Sequence, residues 1–477
     1  MLFNSVSFLI FFPIITILFY ALPHKFRWFM LLSASCVFYM FFIPAYILIL
    51  AITIIIDYYA GIYIDRAKAK PKKKLILIIS IISTCLVLFV FKYYNFFIDN
   101  FNSIANFLDW NYSVESLAII LPIGLSFHTF QSLSYVVEVY RGHQKPERHF
   151  GIYSLYVMFY PQLVAGPIER PQNLLHQFRA NHKFQFNNIS EGLKQMVFGF
   201  FMKLVVADRA SIYVNAVYNN PDQHTGLTFI VATIFFAFQI YCDFAGYSNI
   251  AIGSAKAMGF NLMQNFNRPY FSLSIAEFWK RWHISLSTWF RDYLYISLGG
   301  NRVSSTRRYF NLFITFVVSG FWHGANWTYV IWGGLNGIYL IIGIFIKKFF
   351  LKMGIRLEKK LLTRVFSILV TFTLTCLAWV FFRANSSSDA FKIIEGIFSF
   401  SGPVYIPSGP DVIAPIYAIF AIMILLAIEI KHEFFNTSFS IFNNKFEWVR
   451  LTAYAGMVAF ILLFGVFDGG QFIYFQF

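Results

Sequence analysis

The sequence predicts an all-α membrane protein that crosses the bilayer many times, and three observations lead to this fold class. Of its 477 residues, 58% are hydrophobic and only 13% are charged, whereas a soluble protein carries about 25% charged residues. The apolar residues form runs long enough to cross a bilayer, which takes about 20 residues per helix. Aromatic residues make up 21% of the chain, and Tyr and Trp are typical of the membrane–water interface.

The apolar runs differ in length and in their content of Gly and Pro, so not every run is a plain span. We expect about ten to twelve transmembrane helices. The runs near residues 117–137 and 151–168, and the stretch after Gly246, are better candidates for re-entrant or broken helices. The first run, Val6 to Leu22, lacks a basic region and a small-residue cleavage site, so we expect a retained helix rather than a signal peptide. We treat residues 1–477 as one membrane domain.

The net charge of +16 comes from basic residues in short loops between apolar runs. This placement favours the positive-inside bias of membrane proteins and argues against nucleic-acid binding. The loops Arg66 to Lys74 and Lys347 to Lys360 are therefore expected in the cytoplasm. Counting spans from these two loops puts both the N-terminus and the C-terminus outside. The four cysteines lack the paired spacing of a zinc site, and no metal site is predicted.

One apolar stretch, Ser274 to Gly300, combines several charged residues and His283 with three Trp. Ionisable groups are expensive in lipid, so we expect an amphipathic helix that lies at the interface or lines a water-filled cavity. His283 is then either a functional group or a cavity-lining residue paired with a carboxylate.

A predicted hairpin, Tyr309 to Ile346, has basic residues at both ends and a turn rich in small residues at Gly320 to Trp327. Arg308 lies 15 residues before His323, a rise of about 22 Å at about 1.5 Å per residue. Because the hydrocarbon core is about 30 Å thick, His323 is expected past the midplane. Burial favours a neutral imidazole, which could take a proton from a hydroxyl. The alternative is a hydrogen-bonded histidine that closes a helix break.

Two further clusters contain charge within apolar surroundings. Asp243 lies in the segment Tyr241 to Gly253 and needs water or a partner, with the arginines as candidates, and Gly246 and Gly253 permit a helix break. The segment Pro161 to Arg170 carries a paired Glu169 and Arg170 beside a Gly-Pro turn. Both clusters are either helix breaks with locally neutralised charge or parts of a catalytic site. His128 is interpreted as a hydrogen-bonded histidine of a helix.

Several stretches together resemble the membrane-bound O-acyltransferases. They are LPIGLSFHTFQSLSYVVEVYRG, PQLVAGPIERPQNLL, YCDFAGYSNIAIG and FWKRWHISLSTWFRDYLYISLGG, followed by SGFWHGANW. The branch that they resemble most is that of the bacterial alginate O-acetylation membrane protein and its relatives that acetylate peptidoglycan and exopolysaccharides. The resemblance runs from MLFNSVSFLIFF to FIYFQF, essentially the whole chain.

The resemblance implies transfer of an acyl group across the bacterial cytoplasmic (inner) membrane from a cytoplasmic thioester donor. It implies a ring of helices around a central tunnel, with His323 as the catalytic base and His283 as the second polar group of the site. Polysaccharide-acetylating members work with a periplasmic partner, often of an SGNH-type transferase or esterase fold. One departure is Asn249, where family members commonly carry Asp; an amide can form hydrogen bonds at this position but cannot ionise.

The resulting hypothesis needs no cofactor and uses acetyl-CoA as the donor substrate, with membrane lipid around the protein. Lys280, Arg281, Arg302 and Arg307 could meet the donor's phosphates. His323 would activate an acceptor hydroxyl of an extracytoplasmic polysaccharide or of a serine on the partner, while His283, Asn326 or a backbone N–H steadies the oxyanion. The other residues assigned to substrate binding are Trp282, Trp322, Asp243 and Arg291.

Two other functions remain open at this point. D-Alanyl transfer to teichoic acid shares the chemistry but uses a carrier protein as donor. A transporter or flippase would also combine broken helices with buried charge, but it predicts inverted repeats, and the sequence has no visible repeat.

Overall fold

The computed structural model describes the chain except for residues 111, 120, 165, 355–360, 436–443, 468–471 and 474–477. The described residues form helices and no strands. They divide into two compact units, Met1–Met196 with Ile250–Met263, and Val197–Asn249 with Gln264–Phe477. A single domain over residues 1–477 stays a prediction.

The first unit contains the helices of the N-terminal part of the chain. They are α1 (Val6–Ala21), α2 (His24–Met40), α3 (Tyr46–Arg66), α4 (Lys70–Leu88), α5 (Tyr94–Phe107), α6 (Leu125–Arg141), α7 (Phe150–Met158), α8 (Tyr160–Leu163), α9 (Pro171–Leu174) and most of α10 (Phe186–Phe200). A π-helical turn, Phe89–Tyr93, continues α4 into α5.

The second unit contains the remaining helices. They are α11 (Asp208–Tyr218), most of α12 (Gly226–Ala257), α13 (Ile275–Arg281), α14 (Ile284–Trp289), α15 (Ser305–His323), α16 (Trp327–Lys352), α17 (Leu361–Arg383), α18 (Ser387–Ser399), α19 (Ala414–Phe434) and α20 (Glu447–Phe464). Two π-helical segments, Phe201–Ala207 and Phe290–Tyr295, precede α11 and follow α14.

Seven of the described helices are long and apolar enough to cross a membrane. They are Tyr46–Arg66, Lys70–Phe107, Gly226–Ala257, Trp327–Lys352, Leu361–Arg383, Ala414–Phe434 and Glu447–Phe464, and Val6–Ala21 is a shorter apolar helix. The predicted all-α fold with many candidate spans is confirmed. The expected total of ten to twelve spans, and their arrangement as a ring around a tunnel, stay predictions.

The apolar run near residues 151–168 is broken, as predicted. It forms α7, then a bend at Phe159 with φ −52° and ψ 111°, then the single turn α8. The run near residues 117–137 becomes helical only after Gly124, whose φ of 76° is left-handed. Glycine adopts this conformation at no steric cost, so it marks the start of α6.

The predicted break after Gly246 is wrong, because α12 continues as one helix of 32 residues through Gly246 and Gly253. Both glycines serve close packing against α10 instead. A Cβ on Gly246 would lie 2.8 Å from the carbonyl oxygen of Gly199, within the second unit. A Cβ on Gly253 would lie 2.5 Å from the carbonyl oxygen of Gly192, within the first. Small residues at such positions let helix backbones approach closely.

The single helix predicted over Ser274 to Gly300 is also wrong. The segment divides into α13 and α14, and the chain bends at Trp282 and His283 between them. His283 has a φ of 41°, which lies in the left-handed region. A residue in this conformation cannot continue a right-handed helix. His283 therefore occupies the N-cap position of α14.

The predicted hairpin is confirmed as α15 and α16, joined by a short turn at residues 324–326. Asn326 begins α16, and its side-chain oxygen accepts a hydrogen bond from the backbone N–H of Thr328. The two helices cross at glycines. A Cβ on Gly320 would lie 2.2 Å from the carbonyl oxygen of Tyr329, and one on Gly333 would lie 2.3 Å from that of Phe316.

The close crossing predicts a different response to the same substitution at two glycines of α16. Gly333→Ala should lower the melting temperature of the protein in detergent, because overpacking costs about 1–3 kcal/mol. Gly343→Ala is the matched control, since a Cβ there meets no atom within 4 Å and alanine favours helix. Thermal unfolding followed by circular dichroism measures both. Equal melting temperatures for the two variants would mean that the crossing is looser than described.

Candidate active site

His323 is the last residue of α15 and is enclosed by side chains from two further helices. Its ring lies edge-on to Trp332 of α16, with centroids 5.1 Å apart, and 5.6 Å from the ring of Phe382 of α17. Only 6% of the residue is exposed. The following Gly324 packs so tightly that a Cβ would lie 2.1 Å from the Tyr329 ring. The hairpin turn and α17 therefore fix the position of this imidazole.

His283 is buried and held by a side chain 18 residues earlier in the sequence. Its Nδ1 lies 3.1 Å from Oδ1 of Asn265. The same oxygen accepts the backbone N–H of Ser285 at 3.2 Å and the Ser285 hydroxyl at 2.9 Å. A backbone N–H can only donate, which identifies this Asn265 atom as the carbonyl oxygen. Nδ1 of His283 therefore carries the hydrogen, and Nε2 has a lone pair.

Two backbone hydrogen bonds keep the segment of Asn265 against the bend at His283. Ile284 donates to the carbonyl oxygen of Asn265 at 2.8 Å, and Asn267 donates to that of Arg281 at 2.9 Å. They hold His283 in its left-handed conformation, which costs about 1–2 kcal/mol for a residue with a Cβ. Strain of this kind persists where the surroundings fix it and is concentrated at functional sites.

Burial lowers the pKa of His283 well below its usual value of 6.5, and a charge on His323 lowers it further. Desolvation disfavours the imidazolium ion, which explains the direction of the larger effect. The two imidazoles are thus close enough to interact electrostatically. His283 is therefore neutral at neutral pH, and its unprotonated Nε2 can accept a hydrogen bond.

An aromatic cluster of Trp282, Trp332, Trp379 and Phe382 connects the two histidines. Trp332 is stacked on Trp379 at 5.7 Å with an interplanar angle of 16°, and Trp379 contacts Trp282 at 5.0 Å. Trp282 precedes His283 in the chain, while Trp332 and Phe382 contact His323. The cluster gives both imidazoles rigid and largely apolar surroundings, in which electrostatic interactions are stronger than in water.

Arg281 belongs to an arginine cluster around one carboxylate. It donates to both oxygens of Glu433 at 3.0 Å and to Glu277 at 2.7 Å. Arg268 and Arg364 donate to Glu433 at 2.9 and 3.4 Å. Three arginines face two glutamates, so the cluster carries one net positive charge. The predicted role of Arg281 at donor phosphates therefore concerns this cluster rather than one free side chain.

The other residues predicted for substrate binding lie in different surroundings. Trp322 is half-buried on α15, and Asn326 uses its side-chain oxygen to cap α16, which leaves its amide N–H groups as donors. Arg291 is exposed and bonds to Asp292 at 2.7 Å. The side chains of Lys280, Arg302 and Arg307 are exposed.

The partner of Asp243 is Lys203, and the expected arginine partner is wrong. The Lys203 ammonium lies 2.6 Å from Asp243 and 2.8 Å from Asp208. Asn249, on the same helix, donates to the sulfur of Met202 at 3.5 Å. An amide suits this contact, whereas a carboxylate has no hydrogen to donate.

Two predicted features belong to the first unit. Glu169 is fully buried, and its carboxylate accepts the backbone N–H of Met263 at 2.5 Å and the Asn173 amide at 3.5 Å. Burial raises its pKa to about 7, and the charge of Arg170 counteracts this effect. His128 is buried, with Nε2 3.0 Å from the carbonyl oxygen of Leu163, which confirms a hydrogen-bonded helix histidine.

Several residues that hold the candidate site residues in place were not predicted from the sequence. Lys203 had a usable signal, since it is a lone cation in the apolar run FGFFMKLVVA, and such residues are functional candidates by default. Asn265, Glu433 and Trp379 gave no such signal, because their importance depends on tertiary contacts. Within the described ranges, no group of three His, Cys, Asp or Glu side chains could hold a metal ion.

Comparison with known proteins matches residues 148–382 to the model of the membrane-bound O-acyltransferase family. The chain is 39% identical to the probable alginate O-acetylase of Pseudomonas aeruginosa over 403 residues, which cover 84% of this chain and 75% of that protein.

Two further relatives are similar at lower identity. The chain is 32% identical to the peptidoglycan O-acetyltransferase of Helicobacter pylori, across 94% of this chain and 91% of the relative. It is 27% identical to the teichoic acid D-alanyltransferase of Streptococcus thermophilus, across 57% and 75%. The extent of the first two similarities, together with the helical fold and its candidate spans, shows that the chain belongs to the membrane-bound O-acyltransferase family and is a multi-pass membrane enzyme of the O-acyltransferase class.

Proposed function

We propose that this enzyme moves an acetyl group from cytoplasmic acetyl-CoA across the membrane for O-acetylation of an extracytoplasmic polysaccharide. The observation that carries the proposal is the pair of buried imidazoles, His323 and His283, that meet at one aromatic cluster. The similarity to enzymes named for acetylation of alginate and peptidoglycan supports acetyl as the group and a polysaccharide as the acceptor.

In this scheme His323 is the general base. Its imidazole removes the proton of an acceptor hydroxyl, whose oxygen attacks the thioester carbonyl carbon to form a tetrahedral oxyanion. The carbon–sulfur bond then breaks, and the thiolate of CoA leaves with the proton that the imidazole held. The acetyl group ends as an oxygen ester, so the proton and the electron pairs balance.

The tautomer of His283 decides which group faces the oxyanion. Because its Nδ1–H is bonded to Asn265, the unprotonated Nε2 can accept a hydrogen bond but has no hydrogen to give to an anion. We therefore assign to His283 the orientation of a substrate hydroxyl. The amide N–H groups of Asn326, three residues after His323, are then the donors to the oxyanion.

The donor enters from the cytoplasmic side in this scheme. The arginine cluster of Arg268, Arg281 and Arg364 retains a net positive charge beside its two glutamates, and guanidinium groups bind phosphates through paired hydrogen bonds. The exposed Lys280, Arg302 and Arg307 add charge for the approach of the donor. Trp282 and Trp322 supply apolar contacts around the acetyl group, and Arg291 is a further polar contact.

In this proposal, a periplasmic partner with an SGNH-type fold delivers the acetyl group to the polymer, because the membrane enzyme itself acts within the bilayer. Basic loops at Arg66 to Lys74 and Lys347 to Lys360 support an orientation with these loops in the cytoplasm of a bacterial cell. Both chain ends then lie outside.

D-Alanyl transfer to teichoic acid is the alternative with related chemistry. The similarity to enzymes of that name is weaker and covers 57% of the chain, against 84% or more for the acetylating relatives. Activity with a donor bound to a carrier protein, in place of acetyl-CoA, would support this alternative. Because the chain belongs to an acyltransferase family, its broken helices and buried charges no longer favour a transporter.

Replacement of the proposed base gives the most direct kinetic prediction. His323→Ala should lower the release of CoA from radiolabelled acetyl-CoA by about 10²- to 10⁴-fold, the usual contribution of a general base. His176→Ala, at an exposed histidine, controls for loss of an imidazole. His283→Ala should reduce the rate less than His323→Ala. Wild-type activity in His323→Ala would refute the assignment, and a larger loss at His283 would reverse the two roles.

The Asn265 contact predicts a shift of the pH profile. Asn265→Asp keeps an acceptor at Nδ1 of His283 and adds a negative charge there, which stabilises the imidazolium ion and raises the pKa of His283. His283 must be neutral to accept a hydrogen bond at Nε2, so the acidic limb of the activity profile should move to higher pH by about one unit or more. Asn301→Asp, at an exposed asparagine, is the control. Superimposable profiles for both variants and the wild type would contradict a working role of neutral His283.

A further inference from the structure

Three backbone groups at or beyond the end of α20 are held by the π-helical segment Phe201–Ala207, by Arg209 and by Asp243 of α12. Arg209 donates to the carbonyl oxygen of Phe464 at 2.8 Å. The N–H of Val466 donates to the carbonyl oxygen of Leu204 at 3.0 Å. Ile473 donates its backbone N–H to Oδ2 of Asp243 at 2.7 Å. The π-helix shifts its own hydrogen bonding by one residue, and such segments are frequent at functional sites.

The third attachment depends on a buried ion cluster, which we call the lysine anchor. It consists of Lys203, Asp208 and Asp243, whose side chains are 1%, 6% and 4% exposed. Lys203 is 2.6 Å from Asp243 and 2.8 Å from Asp208. Buried ion pairs of this kind contribute little net stability, because desolvation offsets the attraction, but they can enforce one specific arrangement. A carboxylate is also a stronger acceptor for an N–H group than a neutral oxygen.

The residues held by the anchor lie one aromatic ring away from His283. Phe472 is fully buried, and its ring lies 4.4 Å from that of Tyr247 and 5.6 Å from that of Phe244. Phe244 in turn meets the imidazole of His283 edge-on at 4.6 Å. One aromatic ring therefore separates the anchored segment from a histidine of the proposed site. Tyr247 also faces the Lys203 ammonium at 5.6 Å, so the anchor and the segment share this side chain.

We propose that the lysine anchor is a positioning device that holds residues 472–473 behind Phe244, the ring that contacts the imidazole of His283. The three charged side chains act through the segment and through Phe244, without contact to substrate. Lys203 supplies the charge that keeps the Asp243 carboxylate in place, and Asp243 fixes the backbone of Ile473. The role in catalysis rests on the proposed function, whereas the attachment itself does not.

Accessibility of a thiol tests the attachment. Ile473→Cys is introduced into the full chain after replacement of Cys36, Cys85, Cys242 and Cys376 by alanine, and labelling by a water-soluble maleimide in detergent is measured. The thiol should react slowly, because Ile473 is buried. Adding Asp243→Ala should increase its labelling rate by at least about 10-fold, whereas Asp243→Asn keeps an acceptor oxygen and should preserve most of the protection. Phe467→Cys, at an exposed residue, reacts quickly in every background.

Two variants in the native background test the role in catalysis. Ile473→Pro removes the N–H donor and leaves all three charged groups untouched. It and Asp243→Ala should lower kcat by about 10- to 100-fold, the cost of a displacement of about 1 Å in an active site, while KM for acetyl-CoA changes by less than about 2-fold. Folding is monitored by melting temperature and by size-exclusion elution.

The outcomes separate the anchor from the proposed function. Unchanged kcat in folded Ile473→Pro overturns the proposal, as does protection of the thiol in the Asp243→Ala background. Failure of Asp243→Ala to fold shifts the decision to Ile473→Pro, which does not alter the ion cluster. Wild-type protein without activity on acetyl-CoA refutes the proposed donor, while labelling still decides whether the anchor holds the segment.

Discussion

A neutral imidazole inside a helical membrane protein needs hydrogen-bonding partners of fixed geometry, and the hydrogen bond from His283 to Asn265 satisfies this constraint. Oδ1 of Asn265 accepts from Nδ1 of His283 and from both donors of Ser285. This arrangement fixes one tautomer, in which Nε2 is an acceptor, and it lies at the bend between α13 and α14. The positions of α13, α14 and Trp282 follow from the same bend.

His323 is held by packing. The α15–α16 hairpin closes on glycines, and the rings of Trp332 and Phe382 confine the imidazole on two sides. The imidazole of His323 is thus confined by aromatic rings at the helix crossing, and that of His283 is oriented by its hydrogen bond to Asn265. Rigid elements position reactive groups more accurately than mobile loops, and displacements of about 1 Å are costly in catalysis.

The parts of the fold that composition and charge determine were predictable from the sequence. The hairpin around His323 followed from basic residues at its ends and small residues at its turn, because both signals are local. The break at His283 and the continuity of α12 at Gly246 and Gly253 were not predictable. A glycine that permits a turn and a glycine that permits close packing look the same in a sequence, and only the neighbouring backbone decides between them. Asn265 and Lys203 acquire their roles through contacts between segments that are distant in the chain.

In the proposed mechanism, His323 takes the proton of the hydroxyl that attacks the thioester, while His283 orients that hydroxyl. The most direct measurement is an electron cryo-microscopy structure of the protein with a non-reactive thioether analogue of acetyl-CoA. The proposed mechanism predicts the carbon that replaces the carbonyl at a position where one hydroxyl oxygen fits between it and the His323 imidazole, about 3 Å from each, with the donor's phosphates at the arginine cluster. An analogue bound with that carbon away from His323, or with its phosphates at another face of the protein, would contradict it.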